Sequence, residues 1–379
     1  MKRKLFILLL AIAMVSMFAF VGCAPDEPAP APDPDVDEPD EPAEPADPDA
    51  EGEHFTMEFA TFWPGEDFQV ADGHQVWAQE IKDRVESETN HTIDFNWHPA
   101  GALLGATEIY EGVADGAADL GSTCPSYTPG VFPVTETFEL PGFPNDNALV
   151  SSMVIQDAFE TYDLVTQEYE DVKVMHFWST GPGDIISQSP VHTLDDYQGM
   201  ETRAAGGSVP VIEALGGTPT TMPMSESYLA LDQGIVEAIL APTDTLQGFM
   251  LAEVTNYITK TPFLYNITFI KVMNQDTWNS FPAEVQQIFD EVNEKYVYEY
   301  GVLRTEHTLF GQEFAVDEFG HEIIELDANE VERWMEAIEP VQDGYVEGLN
   351  DQGLPGEEIL QTVEDLQEKY SAEYGDYFN

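Results

Sequence analysis

The sequence predicts an α/β protein of two lobes, with a cleft between them and a long helix opening at Pro282. Three observations carry this prediction. Residues 54–123 alternate between strand-like and helix-like patterns. A second strand–helix series begins after a Gly/Pro-containing turn at 179–183. An apolar stripe opening at Pro282 then continues from Val285 to Leu303 at helical spacing. Strands that alternate with helices favour a mostly parallel sheet with helices on its faces.

The elements follow in order. Residues 56–62 alternate apolar and polar, which marks a strand. Residues 69–88 read as a helix: Trp77, Ile81 and Val85 recur four apart, and Glu80 is spaced to pair with Arg84. Residues 93–97 alternate again, a short helix covers 108–115, and 118–123 is a third strand. Residues 172–178 form a further strand that runs into the turn at 179–183, a crossing between lobes. The second series takes in 200–203, 209–215 and 228–241. Residues 263–273 read as the returning strand. Pro282 sits where the first turn of a helix tolerates proline, and Val285, Ile288, Phe289, Val292, Tyr296, Tyr300 and Leu303 form its buried stripe.

The charge balance is extreme, with 72 acidic against 13 basic residues and a net charge of -59. Nucleic acid is excluded as a partner, because phosphate binding needs clustered Lys and Arg. An 11% aromatic content and the periodic segments argue against disorder for most of the chain. The acidity therefore reads as the surface of a globular protein adapted to strong salt. At about 1 M salt the Debye length falls to about 3 Å, and repulsion between exposed carboxylates is largely screened.

The N-terminus has the layout of an export signal. Lys2, Arg3 and Lys4 precede an apolar run from Leu5 to Phe20, and Phe20-Val21-Gly22-Cys23 follows. This resembles a bacterial lipobox, in which Cys23 becomes the lipidated first residue, although the box usually opens with Leu. The apolar run is short of the roughly 20 residues that span a bilayer. Residues 1–23 are read as a lipoprotein signal, and residues 24–53, built from Pro, Asp, Glu and Ala, as an extended tether. Asp33, Asp35 and Asp37 resemble the start of a calcium loop but lack its turn Gly and distal Glu, so no metal is expected there. Removal of the signal leaves ten basic residues against 72 acidic, a net charge of -62. The remaining cysteine, Cys124, is expected to be a buried free thiol.

Signatures of catalysis are missing. The sequence has no phosphate loop, nucleophile elbow, paired-His zinc helix or Cys-x-x-Cys. No cofactor and no catalytic residue are assigned. The informative residue is Arg203, the only basic residue between Lys173 and Lys260. It ends a predicted strand just before Gly206-Gly207. A guanidinium presents a rigid, permanently charged fork that matches a carboxylate. The alternative is a surface arginine paired with one of many acids.

From about Phe55 to Phe289 the chain resembles the solute receptors of tripartite ATP-independent periplasmic (TRAP) transporters, a family typified by four-carbon dicarboxylate receptors. The resemblance rests on Gly101-Ala102-Leu103-Leu104-Gly105, Phe138-Glu139-Leu140-Pro141-Gly142-Phe143, and Leu194 to Gly199 leading into Arg203. It also rests on Glu213-Ala214-Leu215-Gly216-Gly217, Glu226 to Gly234, and Met273-Asn274 with Trp278 and Phe281-Pro282. It implies a periplasmic-binding-protein-like fold: each lobe a mixed sheet flanked by helices, crossing strands at the hinge, and a long lobe-spanning helix. Lobe I would comprise 54–178 plus 263–305, and lobe II 179–262 plus 306–379. It implies that Arg203 clamps a ligand carboxylate. The other pocket positions it implies are Phe62, Trp63, Ser122, Thr123, Trp178, Pro242, Thr243, Phe263 and Tyr265. For the aromatic residues among these, ordinary core packing is the alternative.

Two positions depart from the dicarboxylate receptors. Many of them carry an Arg where this chain has Gly183, and an Asn where it has Ala241. Losing a second cationic fork favours a monocarboxylate with an apolar or aromatic body over a dicarboxylate. The expected partners are that solute, the integral-membrane subunits of the transporter, and the membrane itself through the lipid on Cys23. The expected location is extracytoplasmic, in the periplasm or on the outer face of the cell. A receptor for an ATP-driven importer is the nearest alternative, which the neighbouring genes would distinguish. An extracellular hydrolase is less favoured, because it needs a nucleophile or metal constellation in the cleft.

Overall fold

The computed structural model describes residues 52–378. Cys23 and nearly all of the acidic tether lie outside the described residues. Among those described, no helix is long and apolar enough to cross a membrane.

Two mixed sheets organise the chain. The first has the order β2-β1-β3-β10-β4, and the second β11-β9-β5-β8-β6-β7. In the first, β1 (His54–Thr61) pairs in parallel with β2 (Thr92–His98) and β3 (Leu120–Thr123). The chain leaves this sheet through β4 (Val172–Ser179) and enters the second through β5 (Asp184–Ser187). There β6 (Glu201–Ala204) pairs in parallel with β7 (Thr218–Thr221) and β8 (Ala238–Ala241), while β9 (Tyr257–Lys260) pairs antiparallel with β5. The return strand β10 (Thr268–Asn274) lies antiparallel between β3 and β4. Strand β11 (Glu322–Glu325) closes the second sheet beside β9.

The amphipathic pattern of the first helix holds. Trp77, Ile81 and Val85 of Gln75–Glu88 are fully buried, and a π-helical turn over Gln69–His74 precedes them. The expected Glu80–Arg84 pair is not formed. Arg84 bonds Glu88 and Glu291, and Glu80 pairs with Lys295 at 2.8 Å. The helix lies against the long helix, which offers Lys295 to Glu80 and Glu291 to Arg84, while Arg84 takes Glu88, one turn on, as its partner within its own helix.

That long helix is Ala283–Phe319, longer than its apolar stripe announces. It packs on Ala148–Thr161 and β4 on one side and on Thr245–Gly248 on the other, so it serves both sheets. Gly311 permits the second contact. A Cβ there would come within 2.3 Å of the Thr243 carbonyl oxygen. The buried stripe also shifts in its last turn. Leu303 is half-buried, whereas Arg304 and Thr305 are buried.

The expected strand 263–273 begins only at Thr268. Before that, Phe263 O accepts from Gly142 N and Tyr265 O from Gly183 N, so this backbone is committed to the crossing rather than to a ladder. The two crossings are tied together. Thr180 N donates to Ile267 O, and Ile267 N donates back to the Thr180 hydroxyl oxygen. Asp184 pairs with Lys260 at 2.5 Å and accepts from Thr261 N. The helix Ala328–Asp351 packs on Val209–Ala214, beside the second sheet. The last helix, Gly356–Tyr374, lies instead on Ala148–Thr161, back toward the first sheet, and so departs from the expected grouping of 306–379.

Candidate functional site

Where the two sheets approach, a cavity of about 350 Å³ opens. Only about 20 Å³ of it has room for the centre of a water molecule, so the site is nearly closed as it stands and a ring-sized ligand requires its walls to part. Its aromatic wall comes from the end of β1. Phe62 and Trp63 are buried and stacked with centroids 3.9 Å apart, and Phe269 of β10 meets Trp63 edge-on at 5.0 Å. Tyr127 packs its edge on Phe62 at 5.2 Å, and its phenol oxygen accepts from Met224 N.

Arg203 faces this wall from the second sheet. Strand β6 holds its backbone between β7 and β8, and its Nε donates to Met222 O at 3.0 Å. The residue is 1% exposed, and Nη1 has no protein partner. Among the described residues it forms no ion pair, so it is not the surface arginine of the alternative reading. A buried, uncompensated cation is costly in a folded chain.

Phe62, Trp63, Pro242 and Tyr265, expected from the sequence, line the same cavity as Arg203. The other expected residues lie elsewhere. Trp178 stands one layer back, 6.1 Å from Trp63 and 5.6 Å from Phe269. Ser122 is enclosed in the first sheet between Thr61 and Lys271, and the Thr123 hydroxyl donates to Ala106 O. Thr243, next to Pro242, donates to Thr308 O on the long helix. Phe263 lines a separate cavity with Phe138, Leu140 and Asn145. Those five positions turn inward or aside because strand ends and loops alternate their side chains between faces.

Several lining residues are not among those expected from the sequence. Arg304 of the long helix is the main one; Tyr127, Met224, Phe249 and Phe269 are others. Arg304 is 3% exposed, and its Nη2 pairs with Asp244 at 3.2 Å. The signal was its place four residues after Tyr300, on the buried face. Gly183, where an arginine would depart from this chain, also has a structural account. A Cβ there would meet the Tyr265 ring at 2.3 Å, so Tyr265 fills the space a side chain would need.

Burial also shifts other ionisable groups in and near the cavity wall. Burial pushes the Cys124 thiol well above its usual range, as expected of a buried free cysteine. Lys271, enclosed behind the first sheet over the Trp77 ring, has its amine pushed down by burial. Burial raises the Glu139 carboxyl to about 8. Among the described residues no group of three His, Cys, Asp or Glu is placed to hold a metal ion.

Comparison with known proteins gives the setting. Residues 69–348 match the family described as bacterial extracellular solute-binding protein, family 7 (DctP). The chain is 26% identical to the C4-dicarboxylate-binding periplasmic protein DctP of Rhodobacter capsulatus, over 72% of this chain and 82% of that protein. It is 25% identical to the ectoine/5-hydroxyectoine-binding periplasmic protein UehA of Ruegeria pomeroyi, over 65% of this chain and 71% of that one. Among solved structures it is similar to a TRAP periplasmic solute-binding protein of Desulfovibrio salexigens, with 29% identity and a TM-score of 0.72 over 86% of this chain and 99% of that one. A marine-metagenome TRAP protein specific for aromatic acid ligands, in complex with metahydroxyphenylacetate, gives 26% and 0.77, over 83% and 99%. These are binding proteins that work with membrane transporter subunits, not enzymes, and this chain, matched over most of its length, belongs to solute-binding family 7, the DctP receptors of TRAP transporters.

Proposed function

We propose that this TRAP receptor captures a small organic monocarboxylate with an aromatic or apolar body. The carboxylate would sit on the Arg203 fork, and the body against Phe62, Trp63, Phe269 and Tyr265. One observation carries the reading: a fully buried guanidinium without an acidic partner faces an aromatic-walled cavity. A carboxylate ligand supplies the missing counter-charge with a bidentate match. Two similar structures hold such ligands: the aromatic-acid receptor named above, and a Rhodoferax ferrireducens TRAP protein with copurified benzoate, 25% identical with a TM-score of 0.77 over 84% of this chain and 98% of that one. Titration calorimetry of the purified protein tests the reading. Benzoate-class acids are expected to bind at least about tenfold more tightly than succinate, a difference of about 1.4 kcal/mol. Succinate as the tighter ligand rejects it.

Closure on the ligand would turn on the tied crossings at 179–183 and 261–267, with lobes built around the two sheets. Acylation at Cys23 would anchor the receptor, and the acidic segment 24–53 would give it reach to the membrane subunits. The surface charge points to a saline habitat. Raising sodium chloride from about 0.1 to 2 M is expected to raise the melting midpoint by on the order of 10 °C, because screening relieves carboxylate repulsion. Scanning calorimetry across that range checks it. A midpoint that stays level or falls removes the salt-adaptation reading.

A further inference from the structure

Arg304 has more donors than the protein uses. Its Nη2 is satisfied by Asp244, which also accepts from the Thr308 hydroxyl. Its Nε and Nη1 are buried and have no partner in the protein. A purely structural arginine at 3% exposure would be expected to spend those donors on carbonyl oxygens, because an unmade buried hydrogen bond is costly. Instead the residue forms part of the wall of the same cavity that Arg203 lines. Its orientation is fixed from two directions. Phe269 lies 4.8 Å from the guanidinium carbon and Phe68 5.8 Å, while the Asp244 bond holds the far side.

We propose that Arg304 is a second anchor, and that the ligand carries, beside the carboxylate on Arg203, an uncharged hydrogen-bond acceptor such as a hydroxyl or carbonyl. This rests on the reading of the cavity as a monocarboxylate site and narrows it to hydroxy- or oxo-substituted acids. The charge around Arg304 decides against a second carboxylate. Asp244 already matches its positive charge at 3.2 Å. Asp67 is buried close by and interacts with both Asp244 and Arg304. A second ligand carboxylate would bring a further anion to a guanidinium whose charge Asp244 already balances, in a desolvated wall. A neutral oxygen accepts from Nε or Nη1 without that repulsion. The two guanidinium groups are therefore not equivalent. Arg203 is a free cation that wants an anion, and Arg304 is a neutralised cation that retains only its donors.

Three acids of similar shape separate the possibilities: 3-hydroxybenzoate, 3-methylbenzoate and isophthalate. Calorimetric titration of the wild-type protein is expected to place 3-hydroxybenzoate at least about tenfold tighter than either of the others. Arg304→Lys keeps a positive charge for Asp244 and loses the fork. In that variant the hydroxyl-to-methyl affinity ratio is expected to collapse to within about twofold, with a melting curve verifying the fold. A wild-type protein that prefers the methyl compound or isophthalate, or that binds none of the three, overturns the proposal. So does a ratio that survives in Arg304→Lys. Should that variant not fold, the wild-type ranking alone decides. Arg203→Lys distinguishes the two readings. If it leaves 3-methylbenzoate binding intact the Arg203 clamp fails, while the ratio read at Arg304 still stands or falls by itself.

Discussion

Replacing Arg203 with methionine is expected to remove carboxylate binding and, in the ligand-free protein, to raise the melting temperature. Both effects follow from one feature, a buried guanidinium that has no acidic partner among the described residues and whose Nη1 is unpartnered. Stripping one partner from a desolvated charged pair costs about 2–5 kcal/mol, a loss of roughly 30-fold to several-thousand-fold in affinity. In the empty receptor the same charge has no partner, and its burial is a standing cost. Methionine keeps most of the volume and removes the charge, so the empty protein should gain on the order of 1–3 kcal/mol. Calorimetric titration with benzoate and a thermal melt measure the two halves. Retained affinity takes Arg203 out of the site. Lost affinity with a lowered melting point makes it a structural residue whose loss disrupts the pocket. Opposite movements of stability and affinity are what a ligand-binding charge predicts and a framework residue does not.

The sequence made this residue visible because the chain is so poor in positive charge. In a protein with ordinary numbers of Lys and Arg, Arg203 would not have stood out. The strand–helix alternation through 54–123 was legible for a similar reason: the strands are seven or eight residues long at β1 and β2, enough for a period of two to register. Strands β5, β7, β9 and β11 are four residues each and were not read. In β7 the sequence Thr-Pro-Thr-Thr argues against a strand, and it is tolerated because β7 lies at an edge of its sheet. The apolar stripe of the long helix gave its direction but not its end, because beyond Tyr300 the buried face carries Arg304, Thr305, Gly311 and Ala315. A face that holds a cavity-lining arginine and a close-approach glycine loses the hydrophobic signature used to detect it. The positions that the family resemblance added, Ser122, Thr123, Trp178, Thr243 and Phe263, lie near the cavity in the chain but not on its wall. Proximity along a strand end does not fix which face a side chain takes.

Glu139 supplies the last large effect. Its carboxyl is buried, takes the Ser126 hydroxyl and the Thr268 N–H as hydrogen-bond donors, and has no cation within ion-pair distance among the described residues. Burial raises it to about 8, against an ordinary glutamate value of 4.5. From about pH 4.5 to 8 the folded protein therefore keeps a proton that the unfolded chain has released. Stability then falls as pH rises through that window and levels off above it. Asp67 and Glu168, each raised to about 7 mainly by burial, push in the same direction. Glu139→Gln isolates one contribution. The amide oxygen can keep the Thr268 bond, and the amide nitrogen can donate to Ser126 in place of accepting. The variant is expected to match the wild type near pH 5 and to exceed it above pH 8 by on the order of 3 kcal/mol, read from denaturant melts at the two pH values. The same ionisation reaches the cavity, because the Glu139 charge acts on Cys124 and Tyr265, both of which line it. A carboxylate ligand should thus bind the wild type more weakly at pH 9 than at pH 6, and Glu139→Gln should flatten that difference. Parallel stability curves for the two proteins would show that Glu139 ionises normally in the fold, and the link between its proton and the ligand would go with it.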